Sequence, residues 1–330
     1  QPPLLSAMVE AIYLKTGDVL LLKKALPALL QEYKFWNSGF HKVIIKDEHG
    51  SEHSLSRYHA NWNAPRPECS TIDKETAKDL AENQKMPLYH EIATAAESGW
   101  DFSSRWMSDQ KDLTTLCATC IIPVDLNAFL VQMELNISIF ANAVDEISIA
   151  RDFIKAADAR VAAINAIMWN DDLGQWLDYW IASHASLFNQ DDDKHREEIH
   201  IFNANNQNKN IFASNFAPLW IEPFRSDAIV EKVINTFQRS GLLQPAGIST
   251  SLLNTGQQWD YPNGWAPLQH MIIEGIAKST FREGMLLAED IARRWLMTNF
   301  VTFKQTGAMH EKYDVEACGK IGGGGEYATQ

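Results

Sequence analysis

The stretch IARDFIKAADARVAAINAIMWNDDLGQW, residues 149–176, decides the fold class. Phe153, Ala157, Val161, Ile164 and Ile167 recur at spacings of three and four, which places them in one stripe on a helix. The period then breaks. Trp169-Asn170-Asp171-Asp172-Leu173-Gly174-Gln175-Trp176 carries turn formers and resumes with extended aromatics, so a hairpin is predicted after the helix. Asp171 and Asp172 lack the ligand alternation of an EF-hand, and calcium is not read here.

Outward from this stretch the same helical period dominates. Helices are predicted over 3–15, 18–37, 87–97, 125–145, 212–222, 226–240, 266–278 and 281–300. Gly17 is read as the stop of the first and Asp18 as the cap of the second. Residues 41–63 are polar and mixed, with extended pieces near 43–45. Residues 185–209, with Asp191-Asp192-Asp193-Lys194, read as a solvated surface loop. The tail from Gly307 is loop-like. Strand and helix never alternate regularly and no fixed repeat is visible, so a parallel α/β sheet and a solenoid are disfavoured. The expectation is one all-α domain over 1–330, a helical toroid or an irregular bundle.

Composition narrows the function. The formal net charge is −13, which repels phosphate backbones and disfavours nucleic-acid binding. Eleven tryptophans suit either a core or the apolar faces of sugar rings. Of four cysteines, Cys117 and Cys120 form a C-x-x-C spacing without the second ligand pair that a metal site needs; they are read as plain thiols, and no metal is expected. No apolar run approaches the ~18 residues of a membrane helix. Gln1-Pro2-Pro3 is not a translation start, and the chain stops just after a glycine-rich loop, so both ends read as cut.

Four stretches place carboxylates or arginines among aromatics and turn formers, where glycosidic chemistry would look for an acid and a base. In the first, Asp101 lies between Trp100 and Phe102, and apolar neighbours suit a general acid; Arg105 could instead pair with it structurally. In the second, Pro65 and Pro67 stiffen the loop around Arg66 and Glu68, which could face a sugar or form a surface ion pair. The third is Gly256-Gln257-Gln258-Trp259-Asp260-Tyr261-Pro262-Asn263-Gly264-Trp265-Ala266-Pro267, a rigid aromatic loop leading into a helix. The fourth runs from Glu311-Lys312-Tyr313-Asp314 to four glycines, 322–325, and Glu326-Tyr327. Those glycines would let backbone approach a ligand, and Glu326 at their end argues against phosphate.

Together these stretches resemble the trehalase family of glycoside hydrolases, with wording similar to its plant-type members. The Gln258–Pro267 loop resembles one of the family's two signatures. The segments 97–106, 122–127 and 322–327 resemble family segments in the family's order. The resemblance implies an (α/α)6 toroid, incomplete in this chain, and hydrolysis of α,α-trehalose with inversion and without metal or organic cofactor. It implies Asp101 as general acid and Glu311 as the base that activates water. It further implies sugar contacts from Arg66, Pro67, Glu68, Gly99, Glu326 and Gln1, and from Trp259, Asp260 and Trp265 in the signature loop. The family's other signature lies upstream of Gln1, a Gly-Phe-Gly-Trp stretch would follow the glycine loop, and Cys69 stands where a serine is usual.

Two alternatives stay open: a sugar-binding fragment without activity, and a toroid glycosidase acting on another disaccharide. Family members are often secreted or face the cell exterior, so an extracellular or cell-surface setting is expected. The sequon at Asn136-Ile137-Ser138 falls on a predicted helix and is read as chance.

Overall fold

The structure is a computed structural model that describes residues 2–188, 199–279 and 281–324. Helices α1 (Leu5–Thr16) and α2 (Val19–Trp36) meet where expected. Gly17, at φ 64°, stops α1, and the Asp18 carboxylate caps α2 by accepting from the Leu20 and Leu21 amides. This is the left-handed stop and side-chain start that leave few helix-end groups unpaired.

A hairpin follows, β1 (Lys42–Lys46) and β2 (Glu52–Ser56). Then come α3 (Ser70–Thr76), α4 (Glu82–Ser98), the short strand β3 (Ile121–Ile122), α5 (Val124–Ala143) and α6 (Ile147–Ile167). The predicted hairpin forms as β4 (Trp169–Asn170) against β5 (Gln175–Trp176). Next are β6 (Tyr179–Trp180), antiparallel to β3, and β7 (Ile199–Ile201), parallel to β1. The run Asp191-Asp192-Asp193-Lys194 lies outside the described residues. The chain continues through α7 (Asp227–Arg239), β8 (Leu243–Gln244), β9 (Gly247–Ile248), β10 (Asn263–Trp265), α8 (Ala266–Ala277) and α9 (Arg282–Thr306). It reaches β11 (Lys312–Asp314) and β12 (Lys320–Ile321), which with β10 make a three-stranded sheet.

Burial alternates along the chain. Helix α5 is buried over most of its length and α6 behind it is amphipathic. The segment Ala213–Trp220 is almost wholly buried and is backed by α7, and α8 is backed by the long α9. Helix α5 touches the Ala213–Trp220 segment, which in turn touches α8. An inner segment followed by its own outer helix is the repeating unit of an α/α toroid. One apolar cluster runs from Val9 to Ile291 through all of these elements.

Several expectations need correction. The segment Ala213–Trp220 is a 3-10 rather than an α-helix; in an α-helix the Pro218 ring would clash with the carbonyl four residues back. Helix α9 runs on to Thr306, where Gly307 at φ 74° stops it. The tail contains β11 and β12 rather than loop alone. Cys117 and Cys120 are joined as a disulfide rather than standing as thiols; a 3-10 turn between them brings their Cα atoms to 5.3 Å, inside bridging range. Among the described residues, α5 is long and apolar enough to cross a membrane, but it is the protein's central core helix. Asn136 lies fully buried on it.

Candidate active site

Asp101 is placed by the end of α4. Gly99 takes φ 77° there and turns the chain so that Trp100 and Asp101 leave the helix axis. Residues 102–106 then run entirely buried. Arg105 does not pair with Asp101. Its guanidinium makes Nη1 and Nη2 bonds of 2.9 and 2.7 Å to Asp125, and Nε and Nη2 bonds of 2.7 and 2.9 Å to Asp178. Burial opposes its charge, but the two adjoining carboxylates outweigh burial and hold it firmly protonated. The segment 122–127 thus serves the site from behind: Asp125 holds Arg105, while Asn127 bonds both the amide and the carbonyl of Ser56 at 2.8 Å.

The loop 256–267 is the hub. The Gln258 side chain donates to the Asp101 carbonyl, and the Trp259 amide donates to the Phe102 carbonyl at 3.0 Å. Asp260 is fully buried and accepts from Ser103 Oγ at 3.0 Å and from Ser104 N and Oγ at 2.8 Å each. Thr255 supplies a further bond at 2.5 Å. Burial raises the Asp260 pKa, against the lowering effect of those donors. With its oxygens so engaged, Asp260 clamps the segment after Asp101.

The same loop becomes strand β10, which pairs with β11 so that Trp265 stands opposite Lys312. Glu311, exposed, immediately precedes that strand. The glycine run also packs here. Asn263 donates to the Gly323 carbonyl at 2.8 Å and accepts from its amide at 3.1 Å. A Cβ on Gly324 would lie 2.3 Å from the Gly256 carbonyl oxygen. At Gly324 the close approach that glycine permits is therefore to the 256–267 loop.

The indoles form a stack. Trp100 and Trp259 are 5.1 Å apart at 16°, and Trp259 and Trp265 are 4.0 Å apart at 3°. Arg105 covers Trp100 at 4.6 Å and Lys312 covers Trp265 at 5.3 Å. Trp259 stacks with two other indoles, and Trp265 with one indole and the Lys312 ammonium. These ring contacts within the protein occupy face area that a sugar could otherwise use.

Arg66 also adjoins this group, 5.3 Å over the Phe102 ring. Its ion pair with Asp73 is buried rather than on the surface: Nη2 to Oδ1 is 2.8 Å and Nε to Oδ2 is 3.1 Å. Pro67 and Glu68 follow, exposed, on a short turn whose last residue is the buried Cys69. Gln1 and Glu326 lie outside the described residues.

Sequence reasoning did not single out Gln258 or Lys312. Each stood beside a residue of interest, and that adjacency was the available signal. A cavity of about 690 Å³ lies elsewhere, along the N-terminal half of α4, lined by Arg57, His59, Trp62, His90 and Glu91 among others. Neither Asp101 nor Glu311 lines it. Among the described residues no cluster of three His, Cys, Asp or Glu is arranged to hold a metal.

The trehalase family's sequence profile matches residues 1–330. A probable trehalase from Oryza sativa subsp. japonica is 52% identical over 337 residues, covering 100% of this chain and 58% of that protein. A trehalase from Arabidopsis thaliana is 50% identical over 332 residues, covering 100% of this chain and 51% of that protein. The chain thus spans about half the length of the curated relatives it matches. The neutral trehalase from Saccharomyces cerevisiae superposes with a TM-score of 0.70 at 23% identity, over 97% of this chain and 60% of that one. A GH63 mannosylglycerate hydrolase from Thermus thermophilus, solved with glucose, superposes at 0.57 and 14% identity over 98% and 72%. These two structures share the helical toroid fold with this chain.

Proposed function

The chain belongs to the trehalase family, and on that premise we propose that it supplies the acid and base of an enzyme hydrolysing α,α-trehalose to two glucose molecules. Asp101, protonated, gives its proton to the oxygen that joins the two rings. Glu311 takes a proton from a water attacking the anomeric carbon from the opposite face. The carbon–oxygen bond to the leaving glucose breaks as the bond to water oxygen forms, and the configuration inverts. Such a pair stands about 6.5–9.5 Å apart, leaving room for the water.

The observation that carries this reading is the docking of three distant stretches on one loop. Residues 256–267 hold the backbone at Asp101 and Phe102, the strand after Glu311, and the glycine run. Arg66, set by Asp73, and Glu68 would meet sugar hydroxyls, with Gln1 and Glu326 as further contacts and no metal or organic cofactor taking part. All 330 residues serve as one catalytic domain, in keeping with the continuous apolar core. An extracellular or cell-surface setting is part of the proposal, since a disulfide such as Cys117–Cys120 persists in oxidising compartments.

The test is glucose release from trehalose beside maltose, with the products followed by proton NMR. Trehalose should be cleaved in preference, giving one α- and one β-glucose at first appearance. Preference for maltose, or α-glucose alone from trehalose, contradicts the proposal. A second reading is a sugar-binding chain without activity. Trehalose binding without any glucose release would establish that reading instead.

A further inference from the structure

Two routes connect the flanks of the candidate acid and base. The polar one passes through Gln258: its amide nitrogen donates to the Asp101 carbonyl, and its amide oxygen accepts from Lys312 Nζ at 3.3 Å. The aromatic one runs from Trp100 through Trp259 to Trp265, over whose ring the same Lys312 ammonium stands. Both routes begin at or next to Asp101 and end on the residue that follows Glu311.

Lys312 is half-buried at the start of β11. Burial draws its pKa below the ordinary lysine range, while the charge of Glu311 acts on it in the opposite sense. A flexible ammonium costs side-chain entropy to order. Here it is restrained from two directions, by an amide oxygen and by an indole face. An aliphatic side chain of the same length could still cover Trp265 but could not be aimed by Gln258. Glu311 itself is exposed, between His310, whose amide donates to Tyr313 Oη at 3.1 Å, and the buried Tyr313, which packs edge-on against Trp295; the Lys312 contacts are the ones that run toward Gln258 and so toward Asp101.

We propose that Lys312 is a positioning residue for the reaction, locking the start of β11 to Gln258 and Trp265 and so holding Glu311 at its working distance from Asp101. This deepens the trehalose-hydrolase reading and rests on it. Small displacements of a reacting group are expensive, a misplacement of about 1 Å costing up to ~100-fold in rate. Substrate binding through other residues would be largely spared.

The experiment measures kcat and KM on trehalose for the unaltered protein and for Lys312→Met, Lys312→Arg, Gln258→Leu and the Gln258→Leu/Lys312→Met pair, with a thermal melt of each. Lys312→Met should lower kcat about 10- to 100-fold with KM within about threefold and an unchanged melt. Lys312→Arg, which keeps a cation over Trp265 and a donor toward Gln258, should recover most of the loss. The double variant should be little worse than either single one, because both cut the same route. An unaffected kcat in Lys312→Met, a loss confined to KM, or fully multiplying losses in the double variant would each overturn the inference while leaving the hydrolase reading standing. Absence of glucose release by the unaltered protein would remove both.

Discussion

Asp101 is followed by five consecutive buried residues, 102–106, tied to Asp125, Asp178 and Asp260. Glu311 stands exposed before a three-residue strand whose outer neighbour, β12, has only two. The acid side of the candidate site is therefore fixed by the same buried bonds that hold the fold. On the base side β11 is held by its pairing with β10 and by Tyr313, buried against Trp295 of α9, while Glu311 itself stays exposed. Damage on the first side should appear as lost stability, and damage on the second as lost rate in a folded protein.

The strongest way to break the acid side is Arg105→Met, which strands two buried carboxylates. Removing one partner of a buried ionic network costs about 3–5 kcal/mol, so urea or thermal unfolding should show a loss of that size. A loss below about 1 kcal/mol, the range of exposed pairs, would mean the network is not the anchor drawn here.

Next comes Glu91, buried on α4 at the cavity described above. It is 1% exposed, and burial pushes its carboxyl from 4.5 up to about 7 in spite of donors from Thr119. A carboxyl with a raised folded pKa holds its proton better in the folded state. Its contribution is fully present below the unfolded pKa and is lost as pH rises through about 7. At 1.36 kcal/mol per pKa unit the change is roughly 3 kcal/mol. Glu91→Gln, uncharged throughout, should flatten the fall in unfolding free energy between about pH 4 and pH 8 by that order. Parallel stability curves for the two proteins would refute this.

The smallest stability effect belongs to the base side. Lys312→Met should change the unfolding free energy by no more than about 1 kcal/mol, the scale of a partly exposed cation over a ring. Its rate defect and its small stability change together would sharpen the contrast between the two sides.

The helical periods were legible because a buried stripe needs apolar residues at three and four, and Gly17, Asp18 and the 169–176 hairpin mark their boundaries by local backbone chemistry alone. The plant-type resemblance is borne out by relatives at 52% and 50% identity. The 3-10 form of Ala213–Trp220 was hidden because a buried apolar run carries no clear period, although Pro218 was a visible hint. Partner choice was not legible at all. Arg105 sat four residues from Asp101, yet its carboxylates come from 20 and 73 positions away. Gln258 bridges Asp101 and Lys312 across 157 and 54 positions. The tryptophans suggested sugar platforms, and only the fold reveals that Trp259 and Trp265 stack on each other. Asp101 was a candidate acid from its aromatic neighbours alone, while the assignment of acid and base to Asp101 and Glu311 came from the family resemblance.

The most direct measurement of the central claim is kcat on trehalose for Asp101→Asn and for Glu311→Gln, each with a thermal melt to confirm an intact fold. Both variants should melt near the unaltered protein and lose about 10²- to 10⁴-fold in kcat, as expected when a general acid or base is removed. Near-normal turnover by either variant would contradict the account.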